Sequence, residues 1–241
     1  MPRIELQNRI KWTVNGTSRI RPAQETLEKV VPLSKKIGVT RLADITDMDV
    51  LRIPNYSAVL PGTEDYIWVY SGKGPTRQHA MASALMESIE RYSSLPAGGP
   101  RDFVRASYAE LSKTHTVLHP DEIVEPMRFE YRDDMQMDFI AGFDIANDKE
   151  VMVPASIALF RYNPAPPAVN PFSYFHTNGL ASGNVIEEAV CHSLCEVIER
   201  DAMSIAELRA ERDTVPRPAQ HSEFAQRVGD ACQAHPGRQV L

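Results

Sequence analysis

The 241-residue sequence has no apolar run close to the roughly 18 residues that a membrane-spanning helix needs. Its first residues, MPRIELQNRIKWTVNG, scatter charges where a secretion signal would be apolar. The three cysteines, Cys191, Cys195 and Cys232, are too sparse and odd in number for a disulfide framework. These absences predict a cytoplasmic protein with no membrane partner.

The chain also has fewer basic than acidic residues. Lys and Arg total 26 against 32 Asp and Glu, which gives a net charge of −6, and the chain has no long basic run. This balance argues against nucleic acid as a partner. The hydrophobic fraction of 43% is that of a globular protein with a packed core.

Periodicity predicts the main elements. Helices are expected at residues 22–37, 76–94 and 185–212, with Thr76 as an N-cap, and a weaker one at 224–234. Strands are expected at 56–60 and 66–70, and a hairpin turns at Asn147-Asp148. Because helices and short strands interleave irregularly, we predict an α+β fold with a mixed or antiparallel sheet.

The two long helices carry the same short motif. Glu87-Ser-Ile-Glu90-Arg91 lies in the first and Glu196-Val-Ile-Glu199-Arg200 in the second. At about 100° per residue, each motif places charged groups on one face, opposite an apolar face. Ser83 shares the charged face of the first helix, and Glu188 and His192 that of the second.

Carboxylates stacked on one face repel unless cations neutralise them. Hard oxygen ligands in this number suit Mg²⁺ or Ca²⁺, and Mg²⁺ with phosphate oxygens is typical of a nucleotide site. The predicted metal ligands are Glu87, Glu90, Glu196 and Glu199. The nearby Lys73, Arg91 and Arg200 would face the phosphates.

A glycine turn precedes each helix. Gly72-Lys73-Gly74 precedes the first, and residues 179–183, GLASG, precede the second. Asn184 and Glu187 would form an Asn-x-x-Glu capping box there. Backbone N–H groups of that first turn would then point at an anion.

Three other interpretations compete with a nucleotide site. Either motif alone would usually be a solvated amphipathic face. A di-iron or di-manganese site needs Glu-x-x-His on two helices, whereas His192 lies four residues from both Glu188 and Glu196. Cys191 and Cys195 suggest a soft-metal site, but they project toward the apolar side, so we interpret them as buried core thiols.

Both motifs resemble the signatures of the YcaO family. SALMESIER is similar to Ser-x-x-x-Glu-x-x-Glu-Arg, and residues 188–200 are similar to Glu-x-x-x-Gln-x-x-x-Glu-x-x-Glu-Arg, in a likeness that extends over about 19–212. The resemblance implies that the four motif glutamates bind Mg²⁺ and that Asn184, Glu188 and Arg200 help to hold ATP. His192 replaces the usual glutamine, and Ala181 stands where many members have serine.

The resemblance also implies an activity. YcaO enzymes use ATP and Mg²⁺ to activate a peptide backbone amide, and the segments IGVTRLADIT and IPNYSAVLP resemble the archaeal methanogenesis marker branch. That branch is similar to enzymes that convert a glycine amide of the methyl-coenzyme M reductase α subunit to a thioamide, with sulfide and often a TfuA-like partner.

The sequence leaves two alternative functions open. The alternatives are an azoline-forming cyclodehydratase of ribosomal peptides and a nonenzymatic ATP-binding subunit. We expect one YcaO-like ATP-binding domain over residues 1–241, incomplete at its C-terminal end, and a homodimer. Without a continuation, a second subunit or a partner, ATP binding or turnover is expected to be weak.

Overall fold

A computed structural model describes residues 4–14, 17–48, 50–62, 67–96, 102–123, 127–173 and 177–208. The chain divides into two compact units. The terminal unit comprises Gln7–Glu90 and Ala181–Leu241, and the middle unit comprises Met1–Leu6 and Arg91–Leu180. The weak helix predicted at 224–234 lies outside the described residues.

In chain order the elements are β1 (Trp12–Val14), β2 (Thr17–Arg19), α1 (Ala23–Lys36), β3 (Arg41–Asp44), β4 (Asn55–Pro61), β5 (Ile67–Lys73), α2 (Arg77–Ser94), β6 (Phe103–Ala106), α3 (Tyr108–Leu111), β7 (Met137–Asp144), β8 (Lys149–Pro154), α4 (Ala155–Ala158) and α5 (Ile186–Leu208). The three long predicted helices are confirmed as α1, α2 and α5. None of the described helices is long and apolar enough to cross a membrane.

The strands within the described ranges form three antiparallel sheets. Their orders are β1-β2, β3-β4-β5 and β6-β7-β8. This arrangement, with helices beside antiparallel sheets, confirms the predicted α+β class. The predicted hairpin is β7–β8, whose turn is held by the Asp144 Oδ1, which accepts hydrogen bonds from the N–H groups of Ala146 and Asn147.

The core of the terminal unit joins helices to the sheet. Leu27 and Val30 of α1 are buried in one cluster with Tyr56 and Leu60 of β4 and with Leu85 of α2. Burying an apolar side chain of this size contributes roughly 1.5–3 kcal/mol to the stability of the fold. The apolar face of α2 is thereby fixed, and the opposite face of the same helix carries its charged motif.

A separate cluster forms the core of the middle unit. Met137 and Phe139 of β7 are buried against Met152 of β8 and Phe172. Asp138, on the other face of β7, is also buried, and it accepts two hydrogen bonds from Arg105, at 2.8 and 2.9 Å. The hydrogen bonds from Arg105 lower the pKa of Asp138, which keeps this buried carboxylate charged and paired.

The glycine turn before α2 owes its composition to close packing. A Cβ atom on Gly72 would collide with the backbone of Ala80 and Ala84 in α2. The strand that ends in Lys73 can therefore lie directly against α2 only because residue 72 has no side chain. The same holds before α5, where a Cβ atom on Gly183 would meet the backbone N of Ala189.

We expect Gly72→Ala to destabilise the protein by about 3 kcal/mol, because the added methyl group meets backbone atoms that cannot rotate away. Denaturant unfolding monitored by circular dichroism measures the change. Gly142→Ala is the matched control, since its nearest neighbour is the Cγ2 of Val153, at 3.1 Å, on a side chain. That change should stay within about 1 kcal/mol, and equal losses in both variants would contradict the explanation.

Candidate functional site

The first motif helix begins as its sequence predicts. The Thr76 Oγ1 accepts a hydrogen bond from the His79 N–H at 3.4 Å and lies 2.8 Å from its Nδ1. Thr76 is thus the N-cap of α2. Burial lowers the pKa of His79, which favours the neutral ring here. The predicted phosphate contact Lys73 lies at the end of β5, where it is exposed.

The charged motif of α2 lies on the face away from the core. Ser83 is exposed, and Glu87, Glu90 and Arg91 are half-buried, whereas Leu85 is 2% exposed. The expected division of α2 into a polar and an apolar face is therefore confirmed. Glu87 and Glu90 lie on the side of α2 opposite Leu85.

At the start of α5 the structure departs from the predicted capping box. Glu188, not Glu187, reaches back to Asn184: its Oε1 accepts hydrogen bonds from the Asn184 backbone N–H, at 3.2 Å, and from its Nδ2, at 3.1 Å. The Asn184 N–H is therefore already bound to a carboxylate and does not point at a free anion site. The predicted capping box of Asn184 with Glu187 is therefore wrong, because Glu187 is engaged by Arg9 and by the Gln7 N–H instead.

Glu188 also ties the amino-terminal segment to α5. Its Oε2 accepts a hydrogen bond from the Ile20 N–H at 2.9 Å, and its Oε1 lies 3.6 Å from the Arg19 Nη1. Glu188 is only 9% exposed. A residue predicted to hold the nucleotide thus also joins two segments that are 168 residues apart.

Two further basic residues reach the same turn of α5. Arg9 Nε lies 3.3 Å from Glu187 Oε1, which also accepts a hydrogen bond from the Gln7 N–H at 2.9 Å. The backbone N–H groups of Glu187 and Gln7, together with Arg9, lower the pKa of the Glu187 carboxyl. Lys11 Nζ lies 3.8 Å from Cys191 Sγ.

Sequence reasoning missed the cluster of Arg9, Lys11 and Arg19. Its only sequence signal is a local concentration of basic residues between Arg9 and Arg21, without helical or strand periodicity. The ion pairs and the hydrogen bond that bring these cations to α5 span 169 to 180 positions of sequence, so a single sequence offers no rule that pairs them.

Beyond its first turn, α5 is exposed on both faces. The apolar side includes Leu194, 58% exposed, and Ile198, 68% exposed. Cys191 and Cys195 are exposed as free thiols. The prediction that they are buried core thiols is wrong, because the described residues do not cover the apolar side of this helix.

The carboxylate face of α5 carries the remaining predicted site residues. Glu196 Oε1 accepts a hydrogen bond from the Arg200 Nη2 at 3.1 Å, whereas Glu199 and His192 are exposed. Among the residues that the structure describes, no three His, Cys, Asp or Glu side chains lie close enough to hold a metal ion. The shared ligand set of Glu87, Glu90, Glu196 and Glu199 remains a prediction.

Comparison with known proteins identifies the family of these two helices. The sequence profile of the family described as YcaO cyclodehydratase, ATP- and Mg²⁺-binding, matches residues 71–240. The chain belongs to the YcaO family. The match contains α2 and α5 with both motifs, so the resemblance drawn from these motifs is confirmed.

Similar proteins come from archaea and bacteria. A Methanothermobacter thermautotrophicus protein is 40% identical over 191 residues, which are 79% of this chain and 48% of that protein. A Rhizobium leguminosarum bv. trifolii protein from the tfuA 3′ region is 31% identical over 192 residues, which are 79% of this chain and 44% of that protein. This YcaO chain therefore spans about half the length of these relatives.

Two solved structures share the fold. YcaO from Methanopyrus kandleri, bound with AMPPCP and Mg²⁺, is 28% identical with a TM-score of 0.61, over 80% of this chain and 46% of that one. A heterocyclase in complex with substrate and cofactor has a TM-score of 0.70 at 22% identity, over 85% of this chain and 30% of that one. The second likeness shows the fold alone.

Proposed function

We propose that this chain supplies the nucleotide-binding part of an enzyme that uses ATP and Mg²⁺ to activate a peptide backbone amide. The observation that carries the proposal is the YcaO match over both motif helices, joined to the charged faces that α2 and α5 present away from the core. The M. kandleri YcaO, which was solved with AMPPCP and Mg²⁺, supports the same ligands.

The proposed metal ligands fit Mg²⁺ by their chemistry. They are all carboxylates, Glu87 and Glu90 on α2 and Glu196 and Glu199 on α5, and hard oxygen donors are the ligands that Mg²⁺ prefers. Bound Mg²⁺ would neutralise charge on the phosphates. Glu90 and Glu199, 109 positions apart in sequence (199 − 90), would then come close together around one nucleotide.

The phosphates also need cations from the chain. Arg200 is the predicted phosphate contact on α5, and its Nη2 donates a hydrogen bond to Glu196 Oε1. We propose that Arg19, and with it Arg9 and Lys11, adds to this set, because its guanidinium is 42% exposed beside Glu188 at the start of α5. Lys73, Ser83, Arg91, Asn184 and His192 complete the proposed nucleotide contacts.

The proposed reaction replaces an amide oxygen with sulfur. Sulfide adds to the carbonyl carbon, and the former carbonyl oxygen takes the γ-phosphoryl group of ATP, which releases ADP. The nitrogen lone pair or the thiolate then expels inorganic phosphate, so that C=S remains. Since the oxygen leaves as phosphate, the chain's task is to position the groups and stabilise charge with its arginines.

The substrate and partners follow from the branch that the sequence resembles. A glycine of the methyl-coenzyme M reductase α subunit is the proposed target, with a sulfide donor, a TfuA-like partner and a homodimer as the assembly. The R. leguminosarum relative from the tfuA 3′ region supports a TfuA-like partner. An azoline-forming cyclodehydratase is the second candidate, because the family is described as cyclodehydratases.

Mass spectrometry of the modified peptide tests the function. The chain, alone and with a TfuA-like protein, is incubated with a peptide that contains the target glycine, sulfide and Mg²⁺-ATP. We expect one oxygen to be replaced by sulfur, with one ADP formed for each thioamide. Loss of water from a Cys- or Ser-containing peptide would instead identify a cyclodehydratase. ATP binding without ADP or product would identify a nonenzymatic subunit.

A further inference from the structure

An exposed tryptophan lies beside the basic cluster at the start of α5. Trp12 of β1 is 41% exposed and is the direct cross-strand partner of Arg19 in β2. Side chains of such a pair project from the same face, with Cβ atoms about 5 Å apart. Trp12 therefore shares a face with the guanidinium that approaches Glu188.

The hairpin that carries Trp12 is fixed to α5 on both sides. The Ile20 N–H, just after β2, donates to Glu188 Oε2 at 2.9 Å. Before β1, Arg9 lies 3.3 Å from Glu187 and Lys11 Nζ lies 3.8 Å from Cys191 Sγ. The indole therefore lies in a hairpin that is anchored to α5, and its cross-strand partner Arg19 is one of the three cations at the start of that helix.

Trp12 differs from the other tryptophan of the chain. Trp68 is half-buried and packs against the core of the terminal unit. Among the described aromatic side chains of that unit, Trp12 alone is more than a third exposed. Core packing does not account for an indole at this position.

We propose that Trp12 stacks on the purine base of the nucleotide, a role that rests on the proposed function. An aromatic face beside an arginine suits a ligand that joins a flat base to phosphates. Stacking of a base on an aromatic ring depends on the π-face and desolvation. Arg19 would meet phosphate while Trp12 holds the base, so the hairpin would bind both ends of one ligand.

Calorimetric titration with Mg²⁺-ATP and with Mg²⁺-tripolyphosphate tests the proposal, because only ATP carries a base. Trp12→Ala should raise the Kd for ATP about 10-fold and leave that for tripolyphosphate unchanged. Trp12→Phe should keep the ATP affinity within about 3-fold, because it retains an aromatic face. Ile10→Ala is the matched control, since Ile10 is 95% exposed on the same segment, and it should bind ATP normally.

Fluorescence gives a second measurement that does not depend on removing Trp12. In Trp68→Phe, Trp12 is the only tryptophan, and ATP but not tripolyphosphate should quench its emission. Unchanged ATP affinity in Trp12→Ala, equal losses for both ligands, or no quenching of Trp12 by bound ATP would overturn the stacking role. If the unmodified chain bound neither ligand, the proposed function itself would fail.

Discussion

Replacing Glu87 or Glu196 with glutamine is expected to weaken binding of Mg²⁺-ATP about 100-fold, equivalent to about 2.7 kcal/mol. Glutamine keeps the shape of the side chain and removes the charge that would hold Mg²⁺. Glu87 is half-buried on α2 and Glu196 is half-buried on α5, so each change removes a ligand from a different helix. Calorimetric titration in the presence of Mg²⁺, repeated with EDTA, measures the loss.

The fold should tolerate both changes. The Glu196–Arg200 pair is an i,i+4 pair at 3.1 Å on a helix surface, and such pairs contribute only about 0.3–0.5 kcal/mol. Glu207→Gln is the control on α5, because Glu207 is exposed outside the motif and should bind ATP as the unmodified chain does. ATP affinity that is unchanged in both motif variants would remove the shared metal site.

The parts of the fold set by local chemistry were predictable from the sequence. The N-cap of α2 is Thr76, whose hydroxyl accepts from the His79 N–H, and this signal needs only residues one turn apart. The hairpin turn after Asp144 is likewise closed by neighbouring residues. The two faces of α2 follow from helical spacing, because the buried Leu85 and the half-buried Glu87 lie on different sides of one cylinder.

The predictions that are wrong concern residues whose surroundings depend on contacts between distant segments of the chain. Spacing alone placed Cys191 and Cys195 near the apolar side of α5, but burial depends on what covers that side, and they are exposed. Spacing also predicted that Glu187 would close a capping box with Asn184. Arg9 and the Gln7 N–H engage Glu187, which leaves Glu188 for Asn184.

Glu188→Gln is expected to lower both the free energy of unfolding and the affinity for ATP, because the Glu188 carboxylate is placed in both roles. The carboxylate accepts hydrogen bonds from the Ile20 N–H, the Asn184 N–H and the Asn184 Nδ2, and it lies 3.6 Å from Arg19. An amide has one acceptor oxygen and turns an N–H₂ group toward these donors, so at least one buried donor loses its partner.

The expected cost of Glu188→Gln is about 2–3 kcal/mol of unfolding free energy, because hydrogen bonds to a charged group are lost and an unsatisfied donor remains. Denaturant unfolding measures it beside Glu196→Gln, which should lose affinity for ATP and keep its stability. ATP binding should fall with Glu188→Gln as well, since Arg19 loses its charged partner and the end of the hairpin at Ile20 is held less firmly against α5. A Glu188→Gln protein as stable as Glu196→Gln would show that the hairpin is held to α5 by other contacts.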